Sequence, residues 1–349
     1  MIVLGADTHK RSHTIVAVSA ATGELLGEQV VAVGRCGFAA LLQWARRLDE
    51  ERIWALEDCR HVSGSLERFL IERGERVLRI ATHLTANARK SARQRGKSDP
   101  IDALNVARAA LQEGLESFPV AHLDGPELDL RLLVDHRERL VRHRVELNST
   151  LQWHLLDLWP ELQLPGGALF SKKWGTRIGR RLARAEQTMR VRIARDELRR
   201  LRELTLTINQ LEREIAALVA RIAPQLLTEP GFGPLIAAKL VGEIAGAQRF
   251  ATPAKLARAA GVAPIPASSG NTQRQRLDPG GNRQINAALH RVVVTRARCH
   301  PATRDYIARR RAEGKSTREA IRCLKRYLVR HVWRLLQPAD PIPSPPITS

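Results

Sequence analysis

The chain has 349 residues, with 57 Lys and Arg against 36 Asp and Glu, and carries a formal charge of +21 at pH 7. A hydrophobic content of 44% is sufficient for buried cores, and the length predicts two or three domains. The excess of positive charge favours a polyanionic partner, DNA or RNA.

Cysteine usage and hydropathy further limit the class of protein to which the chain can belong. The four cysteines are scattered without a CxxC pair, which argues against a zinc site and against a disulfide framework. The sequence contains no signal peptide and no apolar run long enough to cross a membrane. We therefore expect a reduced, cytoplasmic protein that has no membrane partner.

Strand and helix patterns alternate over the first 118 residues. Apolar runs bounded by turn residues predict strands, and apolar residues three and four apart predict helices. The resulting order, β-β-β-α-β-α-β-α, is typical of a ribonuclease-H-like α/β layer. The predicted strands are 2–6, 14–19, 30–33, 53–57 and 77–80, and the predicted helices are 37–49, 64–73 and 100–113.

The central part of the chain is predicted to be helical, with one long apolar seam. Residues 127–159 have a helical pattern, and a stretch containing Gly, Pro and Lys from 160 to about 180 predicts a loop. A second helix follows with a 3.5-residue repeat, which a coiled coil and packing within the chain explain equally well. The repeat consists of Leu201, Leu204, Ile208, Leu211, Ile215, Leu218 and Ile222.

The C-terminal part is also predicted to be helical. Pro224 ends the seam helix, and a turn at 229–234 leads into a helix that begins near Leu235. Further helices are predicted at 253–260, 283–298 and 316–337, with a loop over 261–282 and a Pro-rich, disordered tail at 337–349.

Four acidic residues stand where a metal site for phosphodiester chemistry needs them. Asp7 and Glu57 each end a predicted strand, and Asp99 and Asp102 lie on one side of a helix. Carboxylates that converge at the ends of neighbouring strands suit two-metal chemistry, and Mg²⁺ prefers such oxygen ligands. Asp99 before Pro100 also fits a helix N-cap, with Asp102 completing a capping box. Together with the strand-end acids, the pair favours a metal site, which can coincide with a cap.

Two short segments are candidates for contact with phosphate. His9 and Lys10 follow Asp7, where they contact phosphate, tune the charge beside the metal, or simply lie in a solvated loop. Gly231 and Gly233 lie in a turn like that of a helix-hairpin-helix element, whose glycines admit a phosphate close to free helix N–H groups. A plain turn between helices explains the same glycines.

The C-terminal stretch is strongly basic. Between residues 274 and 334 there are 17 Lys and Arg against 4 acids. Such density favours a phosphate backbone, since a solvated helix face usually interleaves acids with bases. Arg274, Arg276 and Arg283 lead this stretch directly after a loop of small polar residues. A serine in that loop, Ser268 or Ser269, is either ordinary loop chemistry or a nucleophile toward DNA phosphate beside charge-stabilising arginines.

These motifs resemble those of the DEDD transposases of the insertion-sequence "one-ten" family, relatives of the pilin-gene invertase. The resemblance extends over about residues 1–336. The similar segments are the acidic blocks at 5–10, 56–57 and 97–103 and the C-terminal blocks at 231–233 and 260–270.

The resemblance implies three functional segments and a tail. They are a RuvC-like metal-binding domain at 1–118, a coiled-coil oligomerisation region at 119–224, a serine-bearing helical transposase domain at 225–336 and the disordered tail at 337–349. It further implies dimers that pair into tetramers, in which the metal domain and the serine domain of different subunits share one site. The seam helix would then be a contact between subunits.

The resemblance also implies a mechanism. Ser269, immediately before Gly270, matches the family's nucleophile, which forms a covalent phosphoserine link to DNA. A structured guide RNA, the bridge RNA, would pair with donor and target DNA. The implied Mg²⁺ ligands are Asp7, Glu57, Asp99 and Asp102, and the expected nucleic-acid contacts are Lys10, Lys97, Gly231, Gly233, Arg274, Arg276 and Arg283.

We therefore expect an RNA-guided transposase that cuts and rejoins DNA of a mobile insertion sequence. Two alternatives stay open. One is a metal-dependent nuclease of the Holliday-junction type, which hydrolyses DNA with the acids alone. The other is a decayed, non-catalytic protein that binds DNA or RNA.

Overall fold

The computed structural model of the protein describes residues 1–57, 60–80, 82–91, 98–118, 120, 125–267, 275–276, 278 and 281–337. The chain forms two compact units. The first combines residues 1–125 with the C-terminal part from Ile244, and the second is the central segment from Pro126 to Glu243. The functional segments that the resemblance implies, with boundaries at 118, 224 and 336, stay a prediction.

A five-stranded mixed sheet is the centre of the N-terminal part. Its strands are β1 Ile2–Thr8, β2 Ser12–Ser19, β3 Leu25–Ala32, β4 Arg52–Glu57 and β5 Arg76–Ile80. Their order across the sheet is β3-β2-β1-β4-β5. β1 and β3 pair with β2 in antiparallel fashion, whereas β1, β4 and β5 run parallel to one another.

Helices cover both faces of this sheet. They are α1 Arg35–Leu48, α2 Arg60–Ile71, α3 Thr82–Ser91 and α4 Asp99–Glu113. Alternate side chains of β1 serve the two faces: Leu4 packs in one core with Phe38 of α1, and Val3 packs in the other with Ala103 of α4. Burial on both faces explains why the central strands are nearly continuous apolar runs.

The predicted order of elements in this part is confirmed, with one addition. α3 was not predicted, because its ten residues are mostly polar and have weak apolar periodicity. The layer is thus mixed α/β, as expected, and its central strands end on the side where the acidic residues were predicted.

The second unit is built on two long helices. Its helices are α5 Pro126–Leu158, α6 Lys172–Arg184, α7 Met189–Ile222, α8 Pro224–Leu227 and α9 Pro234–Ile244. Ion pairs between Arg190 and Asp157, and between Arg137 and Glu212, show that α5 and α7 run antiparallel. The seam residues Leu201, Ile208 and Ile215 are buried in a single chain. Packing within the chain therefore accounts for these three residues of the seam, and a contact between subunits stays a prediction.

The structure corrects the predicted loop between 160 and 180, because α6 begins at Lys172. Ser171 caps the helix, its Oγ accepting a hydrogen bond of 3.3 Å from the Trp174 amide. A β-carbon at Gly175 would stand 3.2 Å from Nε of Arg202. This glycine therefore allows two helices to approach closely, whereas the sequence suggested a break.

Helices also dominate the C-terminal part. The elements are α10 Pro253–Ala259, β6 Ile265–Pro266, β7 Gln275–Arg276, α11 Arg283–Cys299, α12 Pro301–Ala312 and α13 Thr317–Leu335. The predicted helices α10, α11 and α13 are confirmed, and a capping box between Ser316 and Glu319 begins α13. α12 was not predicted, because arginines interrupt its apolar pattern. β6 and β7 form a short antiparallel ribbon.

Basic side chains join the two parts of the first unit. Arg249 donates a 2.7 Å hydrogen bond to the carbonyl of Val120, and Arg258 forms an ion pair with Glu113 at the end of α4. The sheet and the C-terminal helices are therefore linked within one unit. Among the helices that the structure describes, none combines the length and apolarity that a membrane span requires.

Candidate active site

Two neighbouring strands carry acids at the same edge of the sheet. β1 and β4 run parallel, Ala6 and Leu56 are their last paired residues, and Asp7 and Glu57 follow directly. The carboxyl ends of neighbouring parallel strands lie side by side, so the two acids share this edge. Both side chains are partly exposed, which leaves them accessible to an ion.

α4 approaches this edge closely because Gly5 has no side chain. A β-carbon at residue 5 would overlap the carbonyl oxygen of Ala103 and stand 2.7 Å from the amide nitrogen of Ala107. Glycine therefore lets the backbone of α4 lie directly on β1. This contact holds the first turn of the helix, with Asp99, beside the strand end at Asp7.

The side chains of Asp7, His9 and Asp99 form a compact group. Nε2 of His9 lies 3.1 Å from Oδ2 of Asp7 and 3.5 Å from Oδ1 of Asp99. One ligand atom from each residue lies within 4.8 Å of the other two. The structure thus brings together two of the four predicted acids, with an imidazole between them.

The electrostatics of this group favour a cation. Burial raises the pKa of Asp7 above its ordinary value, while the charge and hydrogen bond of His9 act in the opposite direction. The charges of Asp102 and Asp99 raise the pKa of Asp7 further. Asp102 is therefore close enough to act on Asp7, and a positive ion among these carboxylates would relieve their repulsion.

Glu57 is oriented by a residue that the sequence analysis missed. Oγ1 of Thr85, a buried residue of α3, lies 2.8 Å from Oε1 of Glu57 and 2.7 Å from the carbonyl oxygen of Thr82. The hydroxyl has one proton, so it donates to one of these acceptors at a time. Glu57 can consequently turn toward an ion without leaving the hydroxyl proton unsatisfied. No sequence signal identifies Thr85, because α3 itself was not predicted.

The donor set fits a small divalent ion. Two ligand atoms on one Mg²⁺ are at most about 4.2 Å apart, since each bond is about 2.1 Å. The group around Asp7 spans up to 4.8 Å, and two of its side chains, His9 and Asp99, are exposed. Small rotations of these side chains therefore suffice to close it around an ion. Carboxylate oxygens suit a hard cation, and the imidazole of His9 is the softer donor.

The predicted capping role of Asp99 and Asp102 is wrong. Ser98 is the N-cap of α4, which places Asp99 at the first helical position and Asp102 three residues later in the first turn. Among the described residues no side chain caps this helix end, and the Asp102 amide donates to the carbonyl of Ser98. The two carboxylates are not used as caps, and acids in the first turn suit the helix dipole.

Several predicted site residues lie outside the described part of the chain or apart from the acids. Ser269, Lys97 and Arg274 fall in undescribed segments. Lys10 is exposed in the turn between β1 and β2. Arg283 begins α11. Of the described residues, neither Lys10 nor Arg283 joins the group formed by Asp7, His9 and Asp99.

Gly231 and Gly233 lie in the turn that precedes α9, in the second unit. Gly231 adopts a φ of +81°, which only glycine adopts without strain. The geometry of the turn alone therefore explains the glycine at position 231. Phosphate binding at the turn stays a prediction.

The first unit also contains a basic pocket. Its volume is about 330 Å³, and its walls include Arg276 of β7 together with Arg322, Lys325 and Arg326 of α13. Glu319, a carboxylate in the wall, is engaged with Ser316 at the start of α13. A pocket of this size and charge suits a phosphate with part of its nucleotide.

Lys325 is a buried cation at this pocket. Only 7% of it is exposed, and Nζ donates a 2.6 Å hydrogen bond to Oδ1 of Asn286, whose amide binds the carbonyl of Gly261. Burial lowers the pKa of Lys325, and the charges of Arg322 and Arg283 lower it further. Among the described residues no carboxylate pairs with Lys325, so an anion in the pocket would compensate its charge. The sequence showed it only as one base in a basic stretch.

Acids at the edge of a mixed sheet, together with a basic pocket in the same unit, are features that an enzyme acting on nucleic acid requires. The chain belongs to the IS116/IS110/IS902 family of transposases. A model of that description matches residues 223–308, and a model for DEDD transposases of the IS110 type, described as "Transposase", matches residues 4–160. The family predicted from the sequence is confirmed.

Similar proteins extend over the whole chain. An "Insertion element IS116 uncharacterized 44.8 kDa protein" of Streptomyces clavuligerus is 27% identical over 99% of this chain and 98% of its own length. An "Insertion element IS900 uncharacterized 42 kDa protein" of Mycobacterium paratuberculosis is 25% identical over 95% of each chain. Among solved structures, T. thermophilus RuvC in complex with a Holliday junction substrate is similar at 16% identity, with a TM-score of 0.28, over 35% of this chain and 99% of RuvC.

Proposed function

We propose that the protein is the transposase of a mobile insertion sequence and that it cuts and rejoins DNA. The observation that carries this proposal is the group formed by Asp7 and Asp99, with Glu57 and Asp102 nearby, at the edge of the sheet. Membership of a transposase family supports the reaction class, and the charge of +21 supports a nucleic-acid substrate.

The four acids bind a divalent metal, for which we propose Mg²⁺. Bound there, the metal supplies positive charge that stabilises the phosphoryl oxygens as the phosphodiester reacts. Asp7 and Asp99 are the primary ligands, because their oxygens already converge. Asp102 adds negative charge beside them, Thr85 orients Glu57, and His9 holds Asp7 in place through its hydrogen bond.

Ser269 is the proposed nucleophile. Its oxygen forms a bond to phosphorus and releases its proton to solvent, while the bond from phosphorus to one strand oxygen breaks and that oxygen gains a proton. The phosphoserine link retains a phosphodiester bond, so attack by another strand end rejoins the DNA. Support comes from the family match across residues 223–308 and from the basic pocket that Arg276 helps to line.

Nucleic-acid binding and assembly complete the proposal. Lys10, Lys97, Gly231, Gly233, Arg274, Arg276 and Arg283 contact donor DNA, target DNA or a guide RNA. The protein acts as a dimer that pairs into a tetramer during synapsis. A discrete RNA that copurifies through a moderate salt wash would support the guide, whereas heterogeneous fragments alone would contradict it.

The test is a covalent-adduct assay with the flanking element DNA. The protein and DNA are incubated with Mg²⁺ or with a chelator, denatured, and examined for DNA that stays attached to protein. We expect an adduct in the wild type and in the matched control Ser268→Ala, and none in Ser269→Ala. Asp99→Asn should remove the adduct as well.

Two other outcomes identify the alternatives. Mg²⁺-dependent cleavage without an adduct, unaffected by Ser269→Ala, would indicate a hydrolytic junction nuclease. Binding of DNA without cleavage, unaffected by Asp7→Asn or Asp102→Asn, would indicate a decayed protein that only binds nucleic acid.

A further inference from the structure

α6 in the second unit is the most strongly charged helix outside the C-terminal stretch. Its thirteen residues include six bases and no acid, namely Lys172, Lys173, Arg177, Arg180, Arg181 and Arg184. These residues were not among the predicted nucleic-acid contacts, because the sequence pattern there predicts a loop. The helix therefore adds a basic surface that the proposed function does not use.

The packing of α6 fixes which face is free. Gly175, Ile178 and Leu182 are buried, and Ile178 and Leu182 share a core with Leu198 of α7. The apolar stripe is thus already covered within the chain. The basic side chains necessarily occupy the remaining surface, where Arg177, Arg180 and Arg184 are exposed.

Most of these charges have no acidic partner. Arg181 forms a 2.6 Å ion pair with Glu161, but no described carboxylate pairs with Lys172, Lys173, Arg177, Arg180 or Arg184. A helix face that is merely solvated usually interleaves acids with bases. An unbalanced row of cations instead fits an external polyanion.

Two tryptophans hold part of this surface rigid. The guanidinium of Arg181 lies 4.1 Å from the ring centre of Trp159, and that of Arg177 lies 4.9 Å from the ring centre of Trp174. Stacked arginines lose less conformational freedom on binding than free ones. The open groove between Trp159 and α6 has a volume of about 990 Å³.

The size of the surface fits a nucleic-acid backbone. Thirteen helical residues extend about 20 Å, a length over which duplex DNA presents roughly a dozen phosphates on its two strands. A membrane surface is a poor alternative, because interfacial helices insert an apolar face and that of α6 is buried against α7. The uniform positive charge matches phosphates more closely than the mixed charges of a protein surface.

We propose that α6 binds the phosphate backbone of duplex DNA outside the reacting phosphodiester. This inference rests on the proposed function for the choice of DNA over other polyanions. Arg177, Arg180 and Arg184, spaced three and four residues apart, contact successive phosphates independently of base sequence.

The test compares two triple variants of the full chain, each in an Asp7→Asn background so that DNA is bound without being cut. The first changes Arg177, Arg180 and Arg184 to Gln. The matched control changes Arg199, Arg200 and Arg213, exposed residues of α7, to Gln and removes the same charge. Affinity for duplex DNA of unrelated sequence is measured by fluorescence anisotropy over a range of salt, and circular dichroism verifies folding.

We expect the α6 variant to bind roughly tenfold or more weakly, and its slope of log K against log salt to become less negative by about 2 to 3. The control should change little. Equal losses in both variants, or none in either, would overturn the proposal. Tighter α6-dependent binding to duplex RNA of the same length would overturn the assignment to DNA.

The readout separates this inference from the proposed reaction. Adduct formation is scored in proteins that carry Asp7, with and without the α6 substitutions. An intact adduct with α6-independent affinity would overturn the inference alone. No adduct in any protein, with α6-dependent affinity, would overturn the proposed reaction alone.

Discussion

Gly5 of β1 lies against the backbone of Ala103 in α4, with no room for a β-carbon between them. This contact joins the strand that carries Asp7 near its end to the helix that begins with Asp99. The distance between the two carboxylates is therefore controlled from a position that carries no functional group.

Gly5→Ala tests this control. The added methyl must push α4 away from β1, which costs about 1–3 kcal/mol of stability as overpacking and separates Asp99 from Asp7. We expect a lower melting temperature and a loss of the thermal stabilisation that Mg²⁺ gives the wild type. Gly64→Ala is the control, because that buried glycine has no neighbour closer than the guanidinium of Arg68 at 4.0 Å. An unchanged Mg²⁺ response in Gly5→Ala would contradict the prediction.

Thr85→Val tests the orientation of Glu57. Valine keeps the shape but removes the hydroxyl that lies 2.8 Å from Oε1 of Glu57. Partners of ligating groups typically contribute tenfold or more to metal affinity, so we expect Mg²⁺ binding to weaken by about tenfold. Titration of Mg²⁺-dependent DNA cleavage measures the effect. Thr85→Ser keeps the hydroxyl and should retain near wild-type affinity, and equal behaviour of both variants would rule out orientation by hydrogen bonding.

The acid stability of the sheet depends on Glu75. This carboxylate is 4% exposed and accepts hydrogen bonds of 2.7 Å and 2.6 Å from Arg52 and one of 3.0 Å from Nε1 of Trp54. Burial alone would raise the pKa of Glu75, but the bonds from Arg52 and Trp54 outweigh it and lower the pKa below its ordinary value of 4.5. The stabilisation is fully present above that value and is lost as pH falls through the lowered pKa.

Glu75→Gln should therefore destabilise the protein at neutral pH and flatten its acid dependence. We expect a loss of about 2–4 kcal/mol, because the charge of Arg52 loses its buried partner. Chemical denaturation between neutral pH and pH values below 4.5 measures both effects. Glu72→Gln is the control, because Glu72 is exposed and lies four residues before β5 begins. It should leave the dependence of stability on pH unchanged. If the variant lost stability at low pH as the wild type does, other carboxylates would be responsible for the acid dependence.

Lys325→Met tests the basic pocket. Methionine fills a similar volume without the buried charge, so folding should be maintained or improved while the pocket loses its innermost cation. We expect affinity for DNA to fall roughly tenfold, with a less negative salt slope. Arg318→Gln removes an exposed charge of α13 that is absent from the pocket wall and should have little effect. Equal effects of the two changes on DNA affinity would show that the pocket contributes no more than any other positive charge on the surface.

Much of the sheet was predictable because its strands are buried on both faces. Runs such as residues 2–6 and 53–56 have no polar interruption. This pattern can be recognised without knowing how the side chains pack. α6 was not predictable in the same way. Its glycines at 175 and 179 resemble loop residues until their contacts with Arg202 of α7 are known.

The candidate site was also predictable only in part. Asp7, Glu57, Asp99 and Asp102 were predicted from strand ends and helical spacing, which are local properties of the sequence. The positions of His9 between two carboxylates and of Thr85 beside Glu57 depend on how separate elements meet. Residue spacing contains no information on such meetings, and the same is true of the burial of Lys325.

The first unit is assembled from both ends of the chain, and the second is continuous between them. During synthesis the ribosome releases residues 126–243 before the segment that supplies α10 to α13 exists. The central unit can therefore fold while its flanking unit is still half made. The bonds from Arg249 and Arg258 to the N-terminal part close a loop of more than a hundred residues. A chain truncated before α10 would consequently have the acidic edge without the basic pocket, and we expect it to bind DNA more weakly.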